Sequence, residues 1–130
     1  MISLTKFISK LKHKIKRVTD TTYATIEDEG KDLIERTKIL TPVDTGRLKS
    51  SWEYEVIKEG KHTYNLLVHN EARNPEYGMK YGKFVEYGHY SPAGNWVEGR
   101  FMLTRSIPQT EENLKKKLKS KIVATISNDM

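Results

Sequence analysis

Ile39-Leu40-Thr41-Pro42-Val43-Asp44-Thr45-Gly46-Arg47-Leu48-Lys49-Ser50-Ser51-Trp52-Glu53-Tyr54-Glu55-Val56 is the stretch in which the chain changes its period. Before it, Tyr23, Ile26, Leu33 and Ile34 recur at helical spacing, and that helix ends near Ile39 or Leu40. Thr41-Pro42 stops it, because proline disfavours helical geometry in the residue before it. Thr41 is then placed to cap a new turn, with Pro42 at the first position and Asp44 three residues after Thr41. A short helical segment through Leu48 and Trp52 follows. From Glu53 onward the period is two: Trp52, Tyr54 and Val56 alternate with charged residues, and so do Tyr64, Leu66 and Val68 with their neighbours. Glu59-Gly60-Lys61 separates the two runs as a hairpin loop.

Upstream, Leu4, Phe7, Ile8, Leu11, Ile15 and Val18 mark an amphipathic helix over residues 3–18, with Ser3 as its N-cap and lysines between the apolar positions. Thr19-Asp20-Thr21-Thr22 reads as a break, since these side chains compete with the helical backbone. Gly30 weakens the second helix without ending it. Downstream, residues 70–80 and 89–95 read as exposed loops. The short run 81–87 suits a helical turn or a strand, ended by Gly88, and Trp96 with Val97 adds a third strand. Pro108 interrupts the last ordered stretch. Beyond it Leu114, Leu118, Ile122 and Ile126 recur every four residues, giving a C-terminal helix of about four turns. Residues 127–130 read as a frayed end. The expected fold is α+β in a single domain over residues 1–130. It has one or two N-terminal helices, a small antiparallel sheet built on the β-hairpin, and a C-terminal helix packed on it.

The 130 residues are 36% hydrophobic and 31% charged, so the core is thin. Such a chain is expected to be extended, or to finish burying its surface in an oligomer. Without cysteine there is no disulfide, thiolate metal site or cysteine nucleophile. No apolar run approaches the roughly 20 residues of a membrane span, and lysines interrupt any signal-peptide pattern at the N-terminus. The net charge of +6 is concentrated at the two ends. Lys6, Lys10, Lys12, Lys14, Lys16 and Arg17 form one cluster, and Lys115, Lys116, Lys117, Lys119 and Lys121 the other. If they converge, the surface attracts phosphate or an acidic protein.

Few residues invite a catalytic reading. Asp44-Thr45-Gly46 has the triplet of an aspartic-protease carboxylate, but that chemistry needs two carboxylates sharing a proton, and the triplet occurs once. Asp44 and Thr45 are better explained as turn caps, and Gly46 as a close-packing residue or one with an unusual backbone angle. His13, His62, His69 and His89 are not spaced as a metal pair. His89, three residues after Glu86, reads as a solvated loop histidine. No nucleophile elbow or phosphate-binding glycine loop is present. The expectation is no enzyme, no cofactor and no metal. The aromatics are expected to form cross-strand pairs and subunit contacts rather than to stack on bases.

Three islands in order carry a resemblance: Thr41-Pro42-Val43-Asp44-Thr45-Gly46-Arg47-Leu48-Lys49-Ser50-Ser51, then Tyr81-Gly82-Lys83-Phe84-Val85-Glu86-Tyr87-Gly88, then Arg100-Phe101-Met102-Leu103. Over roughly residues 20 to 125 the chain resembles the tail-completion, head–tail joining and minor-capsid family of long-tailed bacteriophages and prophages. Thr41, Pro42, Asp44, Thr45, Gly46, Leu48, Phe84, Glu86, Gly88 and Phe101 are its structural signature here. The chain departs from the family pattern in a longer 70–80 loop and in Ile107-Pro108. The resemblance implies a non-enzymatic virion protein at the head–tail interface, assembled in the host cytoplasm. It implies a homo-oligomeric ring, a hexamer, that contacts head-closure or connector proteins and tail-tube proteins and lets DNA pass non-specifically, with no membrane involved. Lys10, Lys14, Arg17, Lys115 and Lys119 are candidates to line the lumen or face DNA. The rival reading is a nucleic-acid-binding module using the two lysine-rich helices. The usual structure behind such a pattern is a solvated basic face over a packed apolar stripe.

Overall fold

The computed structural model describes residues 4–43, 46–61 and 63–128, and of Phe7 and Asn128 the backbone alone. Ser3, Asp44, Thr45 and His62 lie outside it, and with them the expected cap at Ser3 and the turn chemistry of Asp44 and Thr45. The order is α1 (Leu4–Leu40), α2 (Arg47–Ser50), β1 (Trp52–Lys58), β2 (Tyr64–Asn70), α3 (Gly82–Tyr87), β3 (Gly88–Tyr90), β4 (Trp96–Glu98) and α4 (Met102–Asn128).

The expected break at residues 19–22 is absent, and one helix of 37 residues, about 55 Å long, replaces two. The threonines bond to their own helix. Thr19 Oγ1 donates to the Ile15 carbonyl, Thr22 to Val18 and Thr25 to Thr21, each at 2.8–2.9 Å. Hydroxyls satisfied on the preceding turn do not compete for the helical N–H groups. Gly30 is also inside α1, at its closest approach to the hairpin. A Cβ there would stand 2.6 Å from Tyr54 Cδ2 and 3.0 Å from Leu66 Cδ1. Gly30→Ala gains about 1 kcal/mol of helix propensity but overpacks the contact by about 1–3 kcal/mol. Its expected net effect is a loss of about 1 kcal/mol in a denaturant titration, and a stabilised variant would contradict the close packing.

The hairpin is as the alternation predicts. β1 and β2 pair antiparallel from Trp52↔Asn70 to Lys58↔Tyr64. Trp52, Tyr54, Val56, Tyr64, Leu66 and Val68 face α1, and Tyr23 meets Tyr64 edge to face at 6.0 Å. Trp96 and Val97 belong to a separate small sheet, β3 with β4, rather than to a third strand of the first. That pairing also makes strand of His89 and Tyr90, which the sequence leaves in a loop. Within the 70–80 loop Ala72 is buried, and Arg73 pairs with Lys80 across it.

Pro108 does not interrupt α4, which runs from Met102 through Asn128 and takes in Ser127. The proline is on the exposed side, so the Thr104 carbonyl it leaves without an N–H partner can turn to water. α4 lies antiparallel along α1, with Thr110 opposite Arg36 and Lys117 opposite Glu29. Its first turn enters the core, where Met102 is fully buried among Ile34, Leu48, Trp52 and Ala72. Leu103, Val68 and Val85 pack around them. The C-terminal helix therefore meets the hairpin at its start and the long helix along the rest.

The joint, the basic end and the exposed stripe

The three islands meet around the start of α4. α3 turns Gly82 and Glu86 inward and Phe84 and Tyr87 outward. Gly88 then reverses the chain at φ +89°, a region that excludes most side chains; an added Cβ would stand 2.6 Å from the Trp96 ring and 2.8 Å from the Val97 carbonyl oxygen. After the β3–β4 hairpin the chain returns to α3. The Arg100 N–H donates to the Val85 carbonyl and the Phe101 N–H to the Glu86 carbonyl. Phe101, at φ 48°, stacks edge to face on Tyr87 and swings the chain into α4. The Glu86 carboxylate, 5% exposed, then accepts three hydrogen bonds: from the N–H groups of Leu103 and Thr104, both at 3.0 Å, and from the Thr104 hydroxyl at 3.1 Å. A side chain on α3 thus caps α4, where helical N–H groups lack partners and the helix dipole favours negative charge.

The first island closes the other side of the core. Thr41 does not cap a new turn. Its hydroxyl donates back to the Thr37 carbonyl at 2.7 Å and accepts from Trp52 Nε1 at 2.9 Å, all of it buried. Proline after it ends α1 while the threonine stays on the last turn. Gly46 is left-handed, at φ 80°, which is the unusual angle expected of it, and no atom would crowd a Cβ there. Leu48 is buried, and its carbonyl accepts from Asn70 Nδ2 at 2.8 Å. Between the first and second islands is an open groove of about 640 Å³, with Pro42, Val43, Leu48, Tyr81, Phe84 and Val85 among its lining residues.

No acid–base pair emerges from Glu86 and His89. The glutamate faces α4, while His89 is half-buried with Nδ1 3.2 Å from the Phe84 carbonyl oxygen. Among the described residues no group of His, Cys, Asp and Glu could hold a metal ion, and no helix is long and apolar enough to cross a membrane. Tyr90 and Trp96 form the expected cross-strand aromatic pair, at 5.1 Å.

The antiparallel pairing of α1 and α4 does not merge the two basic clusters: Lys117 stands opposite Glu29, so Lys115 and Lys119 lie beside residues 27–31 of α1, roughly 15 Å or more along the axis from Arg17. Lys10, Arg17, Lys115 and Lys119 are exposed and Lys14 half-exposed. Lys117 is committed instead to a fully buried carboxylate: its ammonium donates to Glu29, to which Asn113 Nδ2 also donates at 3.4 Å. The sequence shows a lysine run and, 88 residues away, a glutamate at the end of the acidic run Glu27-Asp28-Glu29, with no local signal that they meet. The hydrogen bond that Lys117 donates to Glu29 holds its pKa above lysine's ordinary 10.5; burial opposes this, and the charges of Glu29, Asp32 and Asp28 add to it. A raised pKa means that the stabilisation is complete below 10.5 and is lost as pH rises through the folded-state value. Lys117→Met is expected to lower the melting temperature by a few degrees at pH 7, with the gap to the parent closing at strongly alkaline pH. An equal gap at both pH values would show that the lysine acts through packing alone.

The apolar stripe of the N-terminal helix is not packed, contrary to expectation. In the observed register the end of α4 falls near Val18, so about four turns of α1 have no helix beside them. Leu4 is 73% exposed, and Ile8, Leu11 and Ile15 are 43–49% exposed. Amphipathic spacing tells which face is apolar, not what covers it.

Comparison with known proteins returns no match among curated proteins and none among solved structures. A family model does match: "Bacteriophage HK97-gp10, putative tail-component", over residues 3–88. The matched region takes in α1, the first island, the hairpin and the second island, and it ends at the glycine that closes α3. It begins earlier than residue 20 and stops short of the third island, which is tied to the second by the Glu86 cap rather than by the family pattern. The chain belongs to the HK97-gp10-like family of bacteriophage tail components.

Proposed function

We propose that this tail component forms a ring at the head–tail interface, where it completes the tail or joins it to the head. The observation that carries the reading is the exposed apolar stripe of α1 on a protein with so small a core. A row of half-exposed Ile and Leu on a projecting helix marks a surface that another protein covers. The ring is built by homo-oligomerisation, a hexamer in keeping with the family resemblance, and docks on head-closure and tail-tube proteins in the virion after assembly in the host cytoplasm. The protein works by contact rather than catalysis and needs no cofactor.

The α4 side of the α1–α4 pair is the part proposed to face passing DNA, with Lys115 and Lys119 exposed on it. A channel must not grip its cargo, because many fixed lysine–phosphate contacts would retard translocation. Negative-stain imaging of particles assembled without the protein tests the reading: filled heads and complete tails that fail to join are expected. Normal joined virions would overturn it.

The exposed lysines along both α1 and α4 also favour one rival, a dedicated nucleic-acid-binding module. A filter-binding series separates the two. The ring subunit is expected to show little DNA affinity at physiological salt. Tight binding by a monomer, with a steep logarithmic dependence on salt, belongs to the rival.

A further inference from the structure

We propose that the projecting N-terminal segment of α1 packs on the outward face of the β1–β2 hairpin of a second copy of this chain. This rests on the ring reading and names the contact that would build it.

The two surfaces are complementary in shape class and in charge. On α1, Ile8, Leu11 and Ile15 form an apolar stripe, and lysines flank it on both sides. At 100° per residue, Lys10 and Lys14 lie along one border and Lys12 and Lys16 along the other. No acidic residue occurs before Asp20. On the hairpin, the face turned away from α1 carries Glu53, Glu55 and Ile57 on β1, with Leu67 on β2. Ile57 is 39% and Leu67 45% exposed, and both glutamates are exposed. An apolar centre with carboxylates beside it therefore faces outward on one side of the molecule. An apolar stripe with ammonium groups beside it projects from another.

The charge pattern also selects the geometry. Two copies of the α1 stripe laid on each other would set lysine borders against lysine borders within a screening length of about 8 Å. That disfavours the symmetric helix pair. A stripe on a hairpin joins different surfaces; when each copy gives its stripe to the next the contact is head-to-tail, and it closes as a ring where the rotation per subunit closes. Lys10 and Lys14 then lie at the subunit boundary rather than in the lumen, while Lys115 and Lys119 on α4 stay free to face the channel.

The natural chain has no cysteine, so introduced thiols report without background. Full-length Leu11→Cys and Leu67→Cys are prepared separately, mixed, and treated with a short bismaleimide. Both positions are exposed, and unchanged thermal melts confirm that each variant folds. The expected result is a covalent pair in the mixture and little in either variant alone. As a second arm, Glu53→Lys/Glu55→Lys and Lys10→Glu/Lys14→Glu are each expected to raise the concentration for half-assembly about tenfold or more, measured by sedimentation. Combining the two reversals in one chain restores most of the loss.

Linking of Leu11→Cys to itself would overturn the proposal in favour of a symmetric helix pair. Parent rings that form without linking in the mixture, and that ignore both charge reversals, would overturn the contact and leave the ring standing. A protein that stays monomeric at every concentration and is absent from the head–tail joint would sink both readings. Assembly only on added DNA, abolished by salt, would assign the stripe's lysines to nucleic acid instead.

Discussion

Glu86→Ala is expected to destabilise the protein by about 3 kcal/mol, lowering the melting temperature by roughly 10–15 °C. The size follows from what the carboxylate holds. It accepts from two backbone N–H groups and one hydroxyl at the start of α4, and it is almost wholly buried. Charge-assisted hydrogen bonds are about twice as strong as neutral ones, and the helix dipole adds to them. Alanine removes both acceptor oxygens, and with them all three bonds, and leaves the N–H groups of Leu103 and Thr104 to find water or nothing. Glu86→Gln keeps the volume and one acceptor oxygen, but it turns an NH2 group toward donors, so a loss of about 2 kcal/mol is expected. Hydrogen exchange gives the local readout. Amides in the first turn of α4 should exchange faster in both variants, while those of the β1–β2 hairpin keep their order. If Glu86→Ala melts within 2 °C of the parent, Glu86 does not hold the joint.

Much of this fold was legible because short-range pattern decides it. The hairpin follows from strict alternation through residues 52–68, and every residue expected inward faces α1. Most of α4 follows from the four-residue recurrence of Leu114, Leu118, Ile122 and Ile126. The misreadings share a cause, which is that a polar or imino residue was judged by its local preference alone. Thr19, Thr22 and Thr25 bond backward and leave α1 intact. Pro108 is tolerated because its helix face is open to water. Thr41 turns back on its own helix because Trp52 supplies a donor to its hydroxyl.

The functional surfaces were less legible. Glu86 belongs to the sequence signature, but its role needs a partner at the far end of a hairpin, 17 residues on. Glu29 has its partner 88 residues away. For the α1 stripe, spacing identified an apolar face correctly and the inference that it is packed failed. That failure is itself informative. A pattern that specifies burial, on a helix that this chain alone leaves uncovered, points to burial in an assembly.

Trp52→Ala is expected to cost about 3–5 kcal/mol, the largest single loss among the residues outside α4. The side chain is 7% exposed and belongs to one buried cluster with Ile34 of α1, Leu48 of α2, Ala72 of the 70–80 loop and Met102 of α4. Its Nε1 donates to Thr41 Oγ1 at 2.9 Å, which ties the end of α1 to the start of β1 across the 41–48 segment. Two further variants separate packing from the hydrogen bond. Trp52→Phe removes the donor and part of the volume, with an expected loss of about 2 kcal/mol. Thr41→Val leaves Nε1 buried without an acceptor and gives up the bond to Thr37, with an expected loss of about 1–3 kcal/mol. Because the two side chains share that bond, the double variant Trp52→Phe/Thr41→Val should fall short of the sum of the two losses by about 1 kcal/mol. Strict additivity in urea unfolding would show that the indole–hydroxyl bond contributes nothing. The 41–48 segment would then rely on its other contacts, among them the burial of Leu48 and the bond of its carbonyl to Asn70. The expected shortfall makes the threonine of the Thr-Pro pair a latch for the hairpin: the same residue that bonds back to the last turn of the long helix fixes where the sheet begins.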